Sequence, residues 1–543
     1  MDKLNLNKYQ KLLSFFSLSC TLFPIEAQNI ALNKDKFNIL FIAIDDLKPI
    51  LGCYGDSLIK TPNIDKLAQM GIVFKNTYCQ QAISGATRAS LLTGLRPDHT
   101  RVYDLTTKIR EINPDIITLP EHFKNAGYIT CGVGKIFHPD NVIKEDEEKS
   151  WSIPYLTIND CYDKEYGIPV GKGYQDPETK RLYKKYQQEA IKLGLSKKKG
   201  NTYVKTRIMP STECLDIPDN AYQDGAITIK AQQQLTRLAS ANKPFFMAVG
   251  YIKPHLPFTA PKKYWDLYQR NQIPIAEFQE NAKNSNPISY HTSGELRQYT
   301  DIPQWCSFTD IKTGIDLNIE KQRELIHGYY ACISYIDTQI GILMDTLEKL
   351  NLMNNTIIIL WGDHGWHLGD HGLWNKHSNF EQATKVPLII YTPNFKPGNV
   401  TSLAEFVDIY PTLCDLTGIN IPQWIDGISL KPAMKNKNKQ LHTYVVSQYP
   451  RELSKEEMRT NKFPTNKIMG YSIRTEKYRY TLWINIHETK RHFNKNNIYA
   501  EELYDYEVDP LETINLVHTK SYFNIKENLF ELFLRYYNTN IYE

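Results

Sequence analysis

The chain has 543 residues, enough for one large domain and a smaller one, and its 41% hydrophobic and 23% charged residues are ordinary globular composition. A formal net charge of +4 over this length argues against a protein dedicated to nucleic-acid binding. The nine cysteines include no C-x-x-C pair, which argues against a zinc site or a redox pair built from cysteines.

The first residues have the pattern of an export signal. Three lysines precede an apolar run from Leu12 to Phe23, and small residues permit cleavage after Ala27, so residues 1–27 are predicted to be a signal peptide. We therefore expect a protein exported to the periplasm or out of the cell, and a surface lipoprotein anchored through Cys20 stays open as an alternative. No later stretch reaches the length of a transmembrane helix.

Alternating apolar runs and helical patterns organise the rest of the chain. Nearly continuous apolar runs, typical of strands buried on both faces of a parallel sheet, occur at Phe37–Ile44, Tyr128–Val133, Phe245–Tyr251 and Thr356–Trp361. Helical patterns occur at Pro62–Met70, Leu119–Asn125, Tyr222–Ala239 and Ile319–Leu350. This order predicts an α/β fold, with a large, mostly parallel sheet sandwiched by helices, in residues 28–435.

Two segments depart from this pattern. Residues 141–220 are polar and irregular, and we expect an insertion over the edge of the sheet. Cys161 and Cys214 bracket part of this insertion and are the candidate disulfide pair of an exported protein. Beyond residue 435, short alternating runs followed by a helical pattern at Phe523–Tyr537 predict a smaller C-terminal α+β subdomain, residues 436–543.

Charged or titratable residues follow each predicted strand of the large sheet. In chain order they are Asp45 and Asp46, then Lys135 with His138, then His255, and finally Asp363 with His364. In open α/β sheets, ligands bind beyond the carboxyl ends of the strands. We therefore expect these side chains to share one site.

Three of these side chains suit a metal ion. Asp45, Asp46 and Asp363 supply the oxygen ligands that Ca²⁺ or Mg²⁺ prefers. His364 would suit a transition metal better, so the set favours calcium and leaves magnesium or another divalent ion open. Each aspartate taken alone could equally be a helix or turn cap, and it is their combination that favours a metal site.

A short polar loop, Ser84–Arg88, runs straight into a helix-forming stretch. A nucleophile-sized side chain at a helix entrance lies where N–H groups and the helix dipole favour an anion, although helix capping is the commoner reason for such a serine. Cations would form a pocket for a tetrahedral anion, and histidines would carry protons. The candidates for these two roles are Arg88, Lys135, Lys376, His138 and His255.

Five long stretches carry a family resemblance: FIAIDDLKP, QQAISGATRASLLTGLRPDHTRVYDL, GKIFHP, PFFMAVGYIKPHLPF and DHGWHLGDHGLWNKHSNF. They resemble the sulfatase family of the alkaline-phosphatase superfamily, in particular its iduronate-2-sulfatase branch and the bacterial relatives of that branch. The family's nucleophile is a formylglycine made from the Cys or Ser of a C/S-x-P/A-S/T-R motif, a position that Ser84 takes here. Ser84 followed by Ala86 implies the bacterial serine type, which a maturation enzyme oxidises before export.

The resemblance implies a role for each candidate. The metal would be held by Asp45, Asp46, Ser84, Asp363 and His364. The hydrated aldehyde would attack sulfur with help from Arg88 and Lys135, while His255 and Lys376 would bind the sulfate and protonate the leaving alcohol. His138 would remove the proton of the second hydroxyl, so that the sulfate is released and the aldehyde returns.

Three further residues are candidates for substrate binding. Trp366 adjoins the metal motif and is predicted to stack on a sugar ring, with a purely structural tryptophan as the alternative. His377 and Asp104 are candidates for the rim of the site.

The predicted function is hydrolysis of a sulfate ester on a carbohydrate, namely a 2-O-sulfated uronic acid of a glycosaminoglycan-like polysaccharide. One alternative is a phosphoesterase or phosphonate hydrolase that uses unmodified Ser84, and another is a non-catalytic binder of sulfated glycans. Between Glu178 and Arg207, ten basic residues face two acidic ones. This run is either a solvated helix surface or a guide for polyanionic substrate.

Overall fold

Five stretches of the chain are described in the computed structural model: residues 36–162, 165–241, 243–303, 317–486 and 493–540. The predicted signal peptide, residues 1–27 with Cys20, lies outside them. No helix in these stretches combines the length and the apolar character needed to cross a membrane.

Strands and helices alternate through most of the described chain. The strands are β1 (Asn38–Ile44), β2 (Ile72–Tyr78), β3 (Ile129–Gly134), β4 (Thr212–Leu215), β5 (Phe245–Tyr251), β6 (Phe258–Pro261), β7 (Thr356–Gly362), β8 (His367–Leu368), β9 (Trp374–Asn375), β10 (Lys385–Tyr391), β11 (Gly398–Glu405), β12 (Val445–Glu452), β13 (Lys467–Arg474), β14 (Tyr478–Asn485) and β15 (Ile498–Asp505). The helices are α1 (Pro62–Met70), α2 (Ser84–Thr93), α3 (Pro97–Thr100), α4 (Ile109–Ile112), α5 (Leu119–Asn125), α6 (Lys144–Ser150), α7 (Ile158–Cys161), α8 (Pro177–Lys192), α9 (Lys197–Lys205), α10 (Gln223–Ala239), α11 (Lys262–Trp265), α12 (Ile319–Lys349), α13 (Glu381–Thr384), α14 (Ile409–Thr417), α15 (Lys431–Lys435), α16 (Lys455–Thr460) and α17 (Phe523–Asn540).

A seven-stranded sheet, in the order β11-β2-β10-β7-β1-β5-β3, carries the site. Strand β10 is antiparallel to both of its neighbours, and the other paired strands of this sheet are parallel. Side chains of β1 alternate between two cores: Leu40 and Ile42 pack with α1, α10 and α12, whereas Ile39 and Phe41 pack with α2, α5 and α14. The predicted α/β fold with a mostly parallel sheet between helices is therefore confirmed.

The insertion, residues 141–220, is more regular than predicted, since it contains helices α6 to α9 and strand β4. The Asp176 carboxylate accepts a hydrogen bond from the Thr179 N–H at 2.7 Å and caps α8. Ser196 caps α9 in the same way. Two capping residues thus turn a polar, lysine-rich stretch into a pair of helices.

The predicted disulfide between Cys161 and Cys214 is wrong. Cys161 is a buried free thiol in α7, and Cys214 is an exposed free thiol in β4. A disulfide needs a specific, close geometry of the two Cα and Cβ atoms, which bracketing the same segment of sequence does not provide.

Strands β12, β13, β14 and β15 form a second, antiparallel sheet in that order, and α17 packs on it. Tyr471 of β13 and Leu482 of β14 are buried in one cluster with Phe533 of α17. This is the α+β arrangement predicted for the C-terminal region, with β15 as a strand that the sequence pattern missed. The boundary at residue 435 stays a prediction.

A buried ionic cluster joins the second sheet to α13, which follows the loop of the candidate site. The guanidinium of Arg479 on β14 contacts the carboxylate of Glu381 in α13 and lies 2.9 Å from Glu512 Oε1. Arg474 Nε lies 3.1 Å from Glu381 Oε2. Removing one partner of a buried ion pair costs about 3–5 kcal/mol of stability. The cluster therefore holds the second sheet against α13, which leads into β10 of the first sheet.

A close backbone approach between β3 and β5 sets the position of Lys135. The Lys135 N–H donates to the carbonyl oxygen of Gly250 at 2.8 Å. A Cβ atom on Gly250 would lie 2.0 Å from the Lys135 carbonyl oxygen, far inside van der Waals contact. Glycine is therefore required at position 250.

We expect Gly250→Ala to destabilise the fold by about 1–3 kcal/mol, because the added methyl forces β3 and β5 apart. Thermal unfolding should show a Tm lower by several degrees. The matched control is Gly200→Ala in α9, whose Cβ would meet only Ala190 at 3.5 Å. This control should keep or raise the Tm, since alanine restricts the unfolded chain. A wild-type Tm for Gly250→Ala would contradict the close approach.

Candidate active site

The residue pairs Asp45-Asp46 after β1 and Asp363-His364 after β7 meet because these strands are parallel neighbours in register, with Ile44 opposite Gly362. The backbone N–H of Asp46 donates to Asp363 Oδ1 at 2.9 Å, and the His364 N–H donates to the same oxygen at 3.0 Å. All four side chains, Asp45, Asp46, Asp363 and His364, are fully buried. The structure thus brings the predicted metal ligands together at one edge of the sheet.

These four side chains fit a divalent cation. Each offers one ligand atom, and the four atoms lie within 4.8 Å of one another. His364 Nδ1 lies 3.2 Å from the Gly365 carbonyl oxygen, so a proton on Nδ1 leaves the Nε2 lone pair free to bind a metal. Burial, opposed by Lys376 and reinforced by Asp45, raises the pKa of Asp46 to about 7. A cation would relieve this unfavourable concentration of negative charge.

Ser84 lies beside the same group. It is the first residue of α2, and its hydroxyl donates to Asp363 Oδ2 at 2.8 Å. The oxygen also lies 3.1 Å from Asp45 Oδ1 and 3.1 Å from His364 Nε2. The N-cap position belongs to Ile83, so the alternative prediction of a capping serine is wrong. The hydroxyl faces the candidate ligands instead.

Arg88, one turn further along α2, is fully buried and bridges the ends of β1 and β7. Its Nε lies 2.9 Å from Asp363 Oδ2, and its Nη2 lies 3.1 Å from Asp45 Oδ1. Its Nη1 donates to the Lys135 carbonyl oxygen at 2.7 Å, and the Lys135 ammonium contacts Asp45 Oδ2. Although burial by itself raises the pKa of Asp45, Lys135 and Arg88 lower it well below its usual value.

Lys376 and His255 lie on the other side of Asp46 and share a carboxylate that sequence reasoning missed. Lys376 Nζ lies 3.0 Å from Asp46 Oδ1 and 3.0 Å from Glu295 Oε2. His255 Nε2 lies 3.1 Å from Glu295 Oε1. Glu295 belongs to a segment without a regular pattern between α11 and α12, so no local signal in the sequence marks it.

His138 is half-buried near Lys135. Burial and the positive charge of Lys135 lower the pKa of His138 to about 4, so the ring is neutral near pH 7. Nδ1 accepts a hydrogen bond from the Asp140 N–H at 3.3 Å, which places the proton on Nε2. No hydrogen bond joins His138 to Ser84 in the described structure, and the predicted base role stays a prediction.

The prediction that Trp366 stacks on a sugar ring is wrong. The side chain is fully buried, and its ring lies 6.4 Å from Tyr329 with an interplanar angle of 17°. Lys376 Nζ lies 4.9 Å from the centroid of the Trp366 ring. The Trp366 ring therefore packs inside the protein near the Lys376 ammonium. This is the purely structural role that was the alternative prediction for Trp366.

The two rim candidates both lie near the start of α2: the His377 N–H donates to the Ala82 carbonyl oxygen, and the Asp104 carbonyl oxygen lies next to Gly85. Asp104 is exposed, and its carboxylate accepts hydrogen bonds from the N–H groups of Thr106 and Thr107 at 2.7 Å. His377 is half-buried beside Lys376, with its ring centroid 6.0 Å from that of Tyr449. Roles for both in substrate binding stay predictions.

Comparison with known proteins identifies the family of this chain. Residues 37–419 match the family described as Sulfatase, and residues 369–538 match the family described as N-sulphoglucosamine sulphohydrolase, C-terminal. The human (Homo sapiens) protein named iduronate 2-sulfatase is 33% identical over 532 residues, which cover 89% of this chain and 91% of the relative.

Two solved structures share the fold. One is titled as a complex with its substrate, D-glucosamine-2-N,6-O-disulfate; it is 23% identical, has a TM-score of 0.66 and covers 92% of this chain and 97% of its own. The other is the phosphonate monoester hydrolase of Agrobacterium radiobacter, 22% identical with a TM-score of 0.65, covering 93% of this chain and 96% of its own. With the family match over most of its length and a relative above 30% identity, this chain belongs to the sulfatase family.

Proposed function

We propose that the protein hydrolyses sulfate esters of carbohydrates after Ser84 has been oxidised to formylglycine. The observation that carries the proposal is the position of the Ser84 hydroxyl, which lies within 3.1 Å of Asp45, Asp363 and His364 at the start of α2. The ammonium groups of Lys135 and Lys376 contact Asp45 and Asp46 of the same cluster. A sulfate group would find a nucleophile and two cations in one place.

In this proposal, the charged residues of the site have separate roles. Arg88 holds Asp45 and Asp363 in place through buried ion pairs with both carboxylates. Lys135 and Lys376 would stabilise the negative oxygens of the sulfate group. A bound divalent cation would polarise the nucleophile and the sulfate oxygens, and we take calcium as the ion because oxygen ligands predominate.

We assign protonation of the leaving alcohol to His255. Its Nδ1 lies 2.6 Å from the Leu256 carbonyl oxygen and its Nε2 lies 3.1 Å from Glu295 Oε1, so both nitrogens of a protonated ring would have acceptors. Burial and Lys376 lower the pKa of His255, although Glu295 opposes this, and a lowered pKa favours transfer of that proton to the alcohol. His138, neutral near pH 7, is the proposed base that frees the sulfate.

A 2-O-sulfated uronic acid of a glycosaminoglycan-like chain is the proposed substrate. The support is the likeness to the human protein named iduronate 2-sulfatase, which extends over most of both chains. The export predicted for residues 1–27 is consistent with an extracellular or periplasmic polysaccharide as substrate. Oxidation of Ser84 requires a serine-specific maturation enzyme as partner.

A second candidate is hydrolysis of phosphate or phosphonate monoesters by unmodified Ser84. The fold shared with the Agrobacterium phosphonate monoester hydrolase favours it, because the same cations would bind a phosphoryl group. The two candidates differ in the state of Ser84 and in the preferred ester.

Removing a proposed ligand should remove the metal. We expect Asp363→Ala to abolish turnover and to weaken calcium binding. The loss of affinity should exceed the roughly tenfold to hundredfold that follows removal of a residue that only hydrogen-bonds to a metal ligand. Metal content after dialysis and calcium titration measure this. Asp337→Ala is the control, because this buried acid binds Asn63 and Ile64 away from the site. Equal metal content in both variants would refute the metal site.

The state of Ser84 decides between the two chemistries. A hydrated aldehyde can release sulfate by re-forming a carbonyl, whereas a plain seryl sulfate must wait for attack by water. Protein made with a serine-oxidising maturation system should therefore lose two hydrogens from the peptide spanning Ser84, seen by mass spectrometry, and should turn over sulfate esters. Unmodified protein should be nearly inert, like Ser84→Ala. Repeated turnover of a sulfate ester with intact Ser84 would exclude formylglycine, and faster phosphate cleavage would favour the second candidate.

The basic surface of α8 and α9 provides a separate test of polymer binding. Lys197, Lys198 and Lys199 are exposed at the start of α9. If this surface attracts a polyanion, neutralising the three lysines should weaken cleavage of a long sulfated chain several-fold at low salt, and little above about 0.15 M salt. A disaccharide substrate is the internal control and should be unaffected. Equal effects on both substrates would indicate a merely solvated surface.

A further inference from the structure

A tight hairpin within the insertion carries Lys172 at its tip. Val170 and Tyr174 exchange two backbone hydrogen bonds of 3.0 Å, which close the loop Gly171-Lys172-Gly173. Gly171 and Gly173 have φ angles of 59° and 115°, conformations that suit glycine. Tyr174 is fully buried and donates its hydroxyl proton to the Pro210 carbonyl oxygen at 2.6 Å. The hairpin tip is therefore fixed in position.

The side chain of Lys172 folds inward, where a lysine at a hairpin tip would ordinarily extend into water. Its Nζ donates to the Tyr299 hydroxyl at 3.3 Å and lies 5.1 Å from the centroid of that ring. Tyr299 is fully buried and follows Glu295 by four residues. Lys172 thus reaches the side of the pocket that holds Glu295, Lys376 and His255.

The Lys172 ammonium forms no ion pair with a carboxylate in the part of the chain that the structure describes. Glu295 is the acid whose charge acts on it, but both oxygens of Glu295 are bound, one by His255 at 3.1 Å and the other by Lys376 at 3.0 Å. Burial, together with the positive charges of Lys205, Lys376 and Lys253, lowers the pKa of Lys172 to about 8 although Glu295 opposes this. An uncompensated cation beside the site is suited to bind an anion.

We propose that Lys172 binds the carboxylate of the uronic acid whose sulfate ester is cleaved. This inference rests on the proposed function. In a hexuronate ring, C2 and C5 are opposite atoms, so the carboxylate on C5 points away from a sulfate on O2. With the sulfate held by Ser84, Lys135 and Lys376, the carboxylate would need a further cation that does not bind the sulfate. Lys172 provides that cation from an element outside the catalytic sheet.

Calorimetry on the full chain with unmodified Ser84 and bound calcium tests this without turnover. The ligands are methyl α-L-iduronoside 2-sulfate and its methyl ester, which differ only in the charge of the carboxyl group. We expect wild type to bind the acid about tenfold more tightly than the ester, as one charged hydrogen bond provides. Lys172→Met should abolish this preference by weakening the acid alone, and Lys172→Arg should retain it. Lys349→Met, which changes an exposed lysine at the end of α12, is the charge-matched control and should behave as wild type.

Three results would overturn the proposal: no preference for the acid in wild type, an undiminished preference in Lys172→Met, or an equal loss of affinity for both ligands in that variant, which would indicate a structural role. Turnover of the 2-sulfate by protein carrying formylglycine is measured separately. A lack of turnover would refute the proposed function and leave the binding comparison intact, so the two failures are distinguishable.

Discussion

The site depends on the cost of burying three carboxylates at one point. Asp45, Asp46 and Asp363 are fully excluded from water, and isolated buried charges of one sign are strongly unfavourable. The protein compensates with Arg88 against Asp45 and Asp363, and with Lys376 against Asp46. Burial is the largest cause of the raised pKa of Asp46, and Asp45 adds to it. A bound cation would favour the ionised form of Asp46, so the burial that makes these charges unfavourable would also provide affinity for a cation.

Sequence reasoning located the parts of the site that lie at strand ends. Residues that follow β1 and β7 must be neighbours once those strands are parallel and adjacent, so Asp45 and Asp363 were predictable from apolar runs and the charges after them. Strands β2, β10 and β11 were missed. Strand β2 contains the polar stretch Lys75-Asn76-Thr77. The antiparallel strand β10 has Lys385 and Pro387 among its first three residues. Neither strand therefore shows the continuous apolar pattern.

Residues placed by long-range packing could not be predicted in this way. Glu295 meets His255 and Lys376 only because an irregular segment folds over the sheet, and its sequence neighbours contain no trace of that contact. For Trp366 the sequence suggested a contact that the structure does not show. Its position next to Asp363 and His364 in the sequence suggested a place on the pocket surface, whereas its ring is fully buried near Lys376. The periodicity of apolar residues indicates which side of a helix or strand is buried, but it does not indicate which distant segment covers that side.

The insertion has a consequence for how such an enzyme can diversify. The proposed nucleophile and most of the candidate metal ligands and cations belong to the strand ends and to α2, and the second sheet contacts α13, after β9, through Glu381. The hairpin with Lys172 and the basic helices α8 and α9 belong to a segment that contributes no strand to the seven-stranded sheet. Substrate preference can thus evolve by exchanging a peripheral segment, while selection on the bond-breaking machinery acts on separate residues.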